Sequence, residues 1–76
     1  MSVRKIKLNE FEEVKDFVRA AEKCSYDVDI SYNRIVIDAK SLMGVLSLDL
    51  TRELTVKYDD EDNIHFSNIL DKYGVS

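Results

Sequence analysis

Proline is absent from these 76 residues, glycine occurs only at Gly44 and Gly74, and cysteine and histidine occur once each, as Cys24 and His65. Each shortage excludes something. A lone cysteine can form no internal disulfide, and one cysteine with one histidine cannot complete a Cys/His zinc site. No metal or other cofactor is expected. The matching environment is reducing and cytosolic. No stretch approaches the roughly 20 apolar residues that a membrane span requires. The opening Met1-Ser2-Val3-Arg4-Lys5 leads into an alternating segment and not into the apolar core of a signal peptide, so an unprocessed cytoplasmic chain is expected. Basic charge is also short: eleven Lys and Arg face fifteen Asp and Glu, a net charge of −4, with no basic stripe. Nucleic-acid binding relies on clustered Lys and Arg and is not expected here. Proteins or a small ligand remain as partners.

What is present describes one globular domain. Hydrophobic residues make up 45% and charged residues 34%, far from a disordered composition. A chain this short buries roughly 60% of the surface its unfolded form exposes, so the core is real but thin. Nothing resembling a linker or repeat divides residues 1–76. Val3 to Leu8 alternates and reads as a strand. Asn9 stands where a helix N-cap belongs, ahead of Glu10, Glu12 and Glu13 in a first turn. Phe11, Val14, Val18 and Ala21, with Phe17 beside them, form an apolar stripe on a helix running to about Lys23 or Cys24. Tyr26 to Tyr32 alternates cleanly, Asn33-Arg34 is a candidate tight turn, and Ile35, Ile37 and Ala39 return as a second strand. Ser41 is an N-cap for the apolar stretch from Leu42 to Leu48. Leu54, Val56 and Tyr58 form a last strand, Asp59 to Asn63 a turn, and Phe66, Ile69, Leu70 and Tyr73 a last helix stripe with Gly74 as C-cap. The order β-α-β-β-α-β-α calls for an α+β fold, with helices on one face of a mainly antiparallel sheet.

The run Lys40-Ser41-Leu42-Met43-Gly44-Val45-Leu46-Ser47-Leu48 resembles the regulatory-serine segment of the HPr family of sugar-phosphotransferase proteins, whose usual form is K-S-(I/L)-M-G-(V/L)-(M/L)-S-L. Upstream, Ala21, Lys23, Asp27-Val28 and Tyr32-Asn33 are similar to HPr at corresponding spacing without a gap. The likeness extends from about residue 14 to the C-terminus and is sharp over residues 26 to 48. It implies an open-faced β-sandwich with a four-stranded sheet in the order 1-4-2-3.

The departure from that family lies upstream. HPr proteins carry G-(I/L)-H-A-R-P-A before the first helix, and their histidine takes phosphate from phosphoenolpyruvate through enzyme I. The same ungapped register places Glu10 at the histidine position, Glu12 at the arginine and Glu13 at the proline, within Leu8-Asn9-Glu10-Phe11-Glu12-Glu13. The loop before the helix is also shortened. Three carboxylates would repel a phosphoryl donor. No catalytic residue is therefore expected, and the chain is not expected to be an enzyme.

Each remaining candidate has a functional and a plain reading. By resemblance Ser41 is the target of an HPr kinase, and a phosphate at an N-cap suits a helix start; it is equally an ordinary capping hydroxyl worth about 1 kcal/mol. Lys40, Leu42, Met43 and Leu46 are by resemblance the partner-binding surface, with Leu42 and Met43 expected to be exposed; alternatively Leu46 joins Val45 and Leu48 in the core. A methionine-bearing patch adapts to several partners. His65 could be a relocated phosphoacceptor but follows Asp59-Asp60-Glu61-Asp62, and reads better as a solvated histidine. Glu10 as a mimic of phosphohistidine is weaker than Glu10 as an ordinary helix-start acid. Cys24 reads as structural, and Asp59 to Asp62 lacks the spacing of a calcium loop.

Three functions stay open on this reading. One is a regulatory or interaction protein without histidine phosphocarrier activity, switched at Ser41, whose partners by resemblance are an HPr kinase/phosphorylase or a catabolite-control regulator. Another is a phosphocarrier of the phosphotransferase system proper. The last is a structural or oligomerisation domain reusing the fold. A monomer or weak dimer is expected, with no membrane and no nucleic-acid partner.

Overall fold

Alternation along the chain decides the strands and a 3.6-residue stripe decides the helices. The computed structural model describes residues 2–59 and 64–75. Its elements are β1 (Ser2–Ile6), α1 (Phe11–Glu22), β2 (Val28–Tyr32), β3 (Ile35–Asp38), α2 (Leu42–Leu46), β4 (Leu54–Tyr58) and α3 (Ile64–Tyr73). The four strands form one sheet in the order β1-β4-β2-β3, with every neighbouring pair antiparallel. The helices cover one face, as an open-faced sandwich requires. In β4, Leu54 and Val56 point into the core while Lys57 is exposed. Opposite them Ile6 pairs with Leu54, and Ile30 with Val56, so three strands contribute to one apolar layer. Val14, Phe17, Val18 and Ala21 of α1, with Phe66, Ile69 and Leu70 of α3, close it from the other side. Among the described residues no helix is long and apolar enough to cross a membrane.

Several expected boundaries move, for local reasons. The first strand stops at Ile6 and not at Leu8, although Leu8 stays fully buried. The second begins at Val28 and not at Tyr26. Beyond β3, Ala39 N–H still donates to the Val28 carbonyl at 2.8 Å. Glu10, not Asn9, is the N-cap of α1, with extended backbone and no side-chain capping bond. Asn9 instead donates its N–H to Glu13 Oε1 at 2.7 Å, so Glu13 folds back across the helix start in the manner of a capping box. Phe11 does not join the core stripe and is 51% exposed. Helical side chains lean toward the N-terminus, so a first-turn residue projects beyond the body of the helix. Its ring lies 5.4 Å from the Lys15 ammonium. At the hairpin, Asn33 takes a φ of 55° and Arg34 does not need a positive φ, which removes the difficulty a bulky residue would have there. Gly74 is not a left-handed cap. It bridges to Ile6, and Val75 N–H reaches the Lys5 carbonyl at 3.0 Å, so the chain's end pairs along β1.

One polar cluster locks α3 onto α1. The Tyr73 hydroxyl donates to Asp16 Oδ2 at 2.6 Å and Lys72 Nζ to the same oxygen at 3.4 Å. The tyrosine bond, with Lys72 assisting, holds the Asp16 carboxyl below its ordinary 3.8. Burial first, and the bond to Asp16 second, push the Tyr73 phenol above its ordinary 10.0. The signs follow from linkage. Asp16 contributes stability above its unfolded pKa and loses it as pH falls through the depressed folded value. Tyr73 contributes below its unfolded pKa and loses it as pH rises through the raised one. Asp16 is partly solvent-screened, so Asp16→Asn should cost about 1 kcal/mol or less at neutral pH. Urea unfolding should show that loss, together with a flatter stability profile below about pH 4. An unchanged acid slope would remove Asp16 from the account.

Candidate functional site

Two places inherit the expectations raised by the sequence: the opening turn of α1 and the helix α2. At the first, Glu10 and Glu12 are exposed and Glu13 half-buried around the helix start. Such a turn presents free N–H groups and the positive end of a helix dipole, a seat suited to an anion. Here the protein supplies the anions itself. Glu10 caps the helix by backbone alone, its carbonyl accepting from Glu13 N–H at 3.0 Å and Val14 N–H at 3.1 Å. Beside this turn lies an open depression of about 380 Å³ lined by Glu12, Glu13, Asp16, Arg19, Lys72 and Tyr73. Acid outweighs base there in number, and Lys72 is already engaged by Asp16.

His65 is not among the residues lining that depression. It is exposed in the first turn of α3, whereas the opposite end of that helix, at Lys72 and Tyr73, meets the α1 turn. The separation from Tyr73 along the helix is about 12 Å at the rise of an α-helix. Of the acidic stretch before it, Asp59 is exposed; Asp60, Glu61 and Asp62 lie outside the described residues, so the expected solvated turn does too. Among the described residues no group of His, Cys, Asp and Glu is arranged to hold a metal ion. Cys24 is buried, and its thiol donates to the Ala20 carbonyl at 3.5 Å, consistent with a packing role.

The second place is built by a capped single turn and a half. Ser41 has extended backbone, and its Oγ accepts the Gly44 N–H at 3.2 Å. Its own N–H donates to the Asp38 carbonyl at 3.0 Å, which ties the cap to the end of β3. Ser41 is exposed and Met43 is 78% exposed. Leu42 corrects the expectation of full exposure: like Leu46 it is half-buried and leans on the core, while Val45 and Leu48 are buried. The spacing of a short helix could not separate these positions, since Leu42 and Leu46 share the flank that overlies the core edge. Lys40 is engaged within the chain. Its Nζ donates to the Cys24 carbonyl at 3.0 Å and its N–H to Asp38 Oδ1 at 2.9 Å, so it stitches the end of α1 to the start of α2. No sequence pattern announces that bond, because it joins residues far apart in the chain. A shallow depression of about 200 Å³ lies between α1 and α2, lined by Lys15, Val18, Arg19, Glu22 and Leu42.

The sheet order, the helical layer on one face and the serine-capped α2 agree with the family suggested by the sequence. The family model described as the HPr component phosphorylation site of the phosphotransferase system matches residues 13–70. No curated protein matches the chain. The matched span covers most of the chain and begins at Glu13, taking in α1 from there on, the hairpin, Ser41 and β4. With that match joined to the fold, the chain belongs to the HPr family of the sugar phosphotransferase system.

Proposed function

We propose that this chain is a regulatory or interaction protein of the phosphotransferase system that has given up histidine phosphocarrier activity. Family members are phosphocarriers and not enzymes, and they act by binding other proteins of that system. The observation that carries the reading is the carboxylate-crowned start of α1. A phosphoryl group needs a nucleophilic imidazole and positive charge at that turn. Glu10, Glu12 and Glu13 provide neither, and Glu13 already occupies the Asn9 N–H.

What survives is the surface of α2. Met43 projects from it, with Leu42 and Leu46 half-buried beside it and Ser41 exposed at its head. A flexible, polarisable methionine suits docking to a protein partner. By resemblance that partner is an HPr kinase/phosphorylase or a catabolite-control regulator, and Ser41 is where the kinase would act. Incubation with an HPr kinase and ATP should add one phosphate in the wild type and none in Ser41→Ala. Met43→Asp should fold normally, because the side chain is mostly in solvent, yet bind the kinase about tenfold or more weakly, as loss of a central apolar anchor does. Equal binding by wild type and Met43→Asp in a calorimetric or surface-based titration would refute the docking surface.

A further inference from the structure

We propose that the chain pairs with a second copy of itself through the outer edge of β3, forming a weak two-fold dimer with a continuous sheet. The two edges of the sheet differ. Along β1 the chain's own end supplies partners: Lys7 N–H donates to the Tyr73 carbonyl at 3.0 Å, Val75 N–H to the Lys5 carbonyl at 3.0 Å, and Gly74 bridges Ile6. At β3 nothing among the described residues does this. The bond from Ala39 N–H to Val28 fixes the alternation of the ladder. Ile35, Ile37 and Ala39 turn their backbone groups toward β2, so those of Val36 and Asp38 face outward, with Arg34 in the hairpin turn just before the strand. The Asp38 carbonyl accepts Ser41 N–H and retains a second lone pair. Sheet edges are usually blunted by lysine, proline or a bulge. This one has none within the strand, and Ile35 and Val36 are 53% and 63% exposed.

The segment Arg34-Ile35-Val36-Ile37-Asp38 is self-complementary about Val36. An antiparallel pairing of two copies centred there sets Val36 against Val36 as the hydrogen-bonded pair. It places Ile35 opposite Ile37 on the helix side of the sheet, and brings Arg34, in the hairpin turn, to the end of the partner's strand at Asp38. Both ends of the pairing are thus charge-matched, and the two-fold axis stands perpendicular to the sheet. Arg34 makes no ion pair among the described residues, and only Oδ1 of Asp38 is engaged, by Lys40 N–H. The helical layers of both copies then lie on the same side. So short an edge makes a small interface, so the dimer is weak and concentration-dependent.

Sedimentation of the full chain from micromolar to millimolar concentration tests this. The wild type should show a reversible monomer–dimer equilibrium. Arg34→Asp and Asp38→Arg should each weaken it about tenfold or more by opposing like charges. An equimolar mixture of the two variants, and the double reversal in one chain, should restore it. Val36→Pro should keep the fold, since proline is tolerated where an edge N–H faces solvent, and should abolish the dimer. Circular dichroism of each variant establishes folding, and Arg34→Asp leaves the turn at Asp38 intact. A wild type monomeric throughout, single reversals without effect, a mixture that fails to restore pairing, or a dimer lost in Met43→Asp but kept in Val36→Pro would each overturn the proposal.

Discussion

Phe66→Ala is expected to remove most of the stability of the fold. Phe66 is 1% exposed and joins three elements: its ring lies 6.1 Å from that of Phe17 in α1 and meets Tyr58 of β4 edge-on at 5.6 Å. Removing a buried phenyl costs about 3–5 kcal/mol, partly in transfer free energy and partly in the cavity left behind. The aromatic pairs add about 0.5–1.5 kcal/mol each beyond the area they bury. A chain of this length has roughly 4–11 kcal/mol in total. There is no disulfide to hold the remainder together, since Cys24 is the sole cysteine. Urea unfolding followed by circular dichroism should therefore show a midpoint shifted far down, or no native baseline at all. A loss below about 1 kcal/mol would mean that α3 is not held by this residue.

Gly44→Val should act on α2 in a different way. A Cβ added at Gly44 would stand 2.7 Å from Ile37 Cγ2 and 3.1 Å from Ser41 Oγ, well inside the 3.5–4.0 Å at which carbon atoms pack. Glycine here serves close approach, since its φ is not positive. It lets a short helix lie directly on the edge strand while its cap stays formed. Ile37 is β-branched and stiff at χ1, so it cannot swing aside freely. Overpacking of this kind costs about 1–3 kcal/mol, and valine recovers little helix propensity in return. The displacement also tilts Met43, so binding through α2 should fall together with stability. Gly44→Val with wild-type stability in urea would show that α2 is not pressed against β3.

The strands and the helix order were readable because alternation and 3.6-residue stripes are local signals. Val28, Ile30, Leu54 and Val56 announce their inward face by period alone, and all are fully buried. What local reading could not reach depends on contacts between distant residues. The bond from the Lys40 ammonium to the Cys24 carbonyl has no local signal in the sequence. Gly74 looks like a helix cap until Ile6 pairs with it. Phe11 continues the apolar stripe on a helical wheel, yet the first turn overhangs the body and leaves the ring to Lys15. At the candidate sites the residue types were legible, whereas their geometry was not. Ser41 caps α2 as its position suggested, but Leu42 turned out to share the flank that leans on the core. The cap of α1 moved from Asn9 to Glu10, which sharpens the contrast with a phosphohistidine site: the acid stands at the helix start itself.

That contrast makes a claim about chemistry as well as shape. A helix start selects for negative charge, and three glutamates satisfy the preference internally. A phosphoryl donor approaching the turn meets like charge, and the nearest imidazole belongs to the far end of α3. Phosphoenolpyruvate and enzyme I, added to the purified chain, address this most directly, with acid-labile phosphate as the readout. No acid-labile phosphate should form on this chain, while an authentic HPr in the same reaction becomes labelled. Phosphohistidine on His65 would contradict the loss of carrier activity.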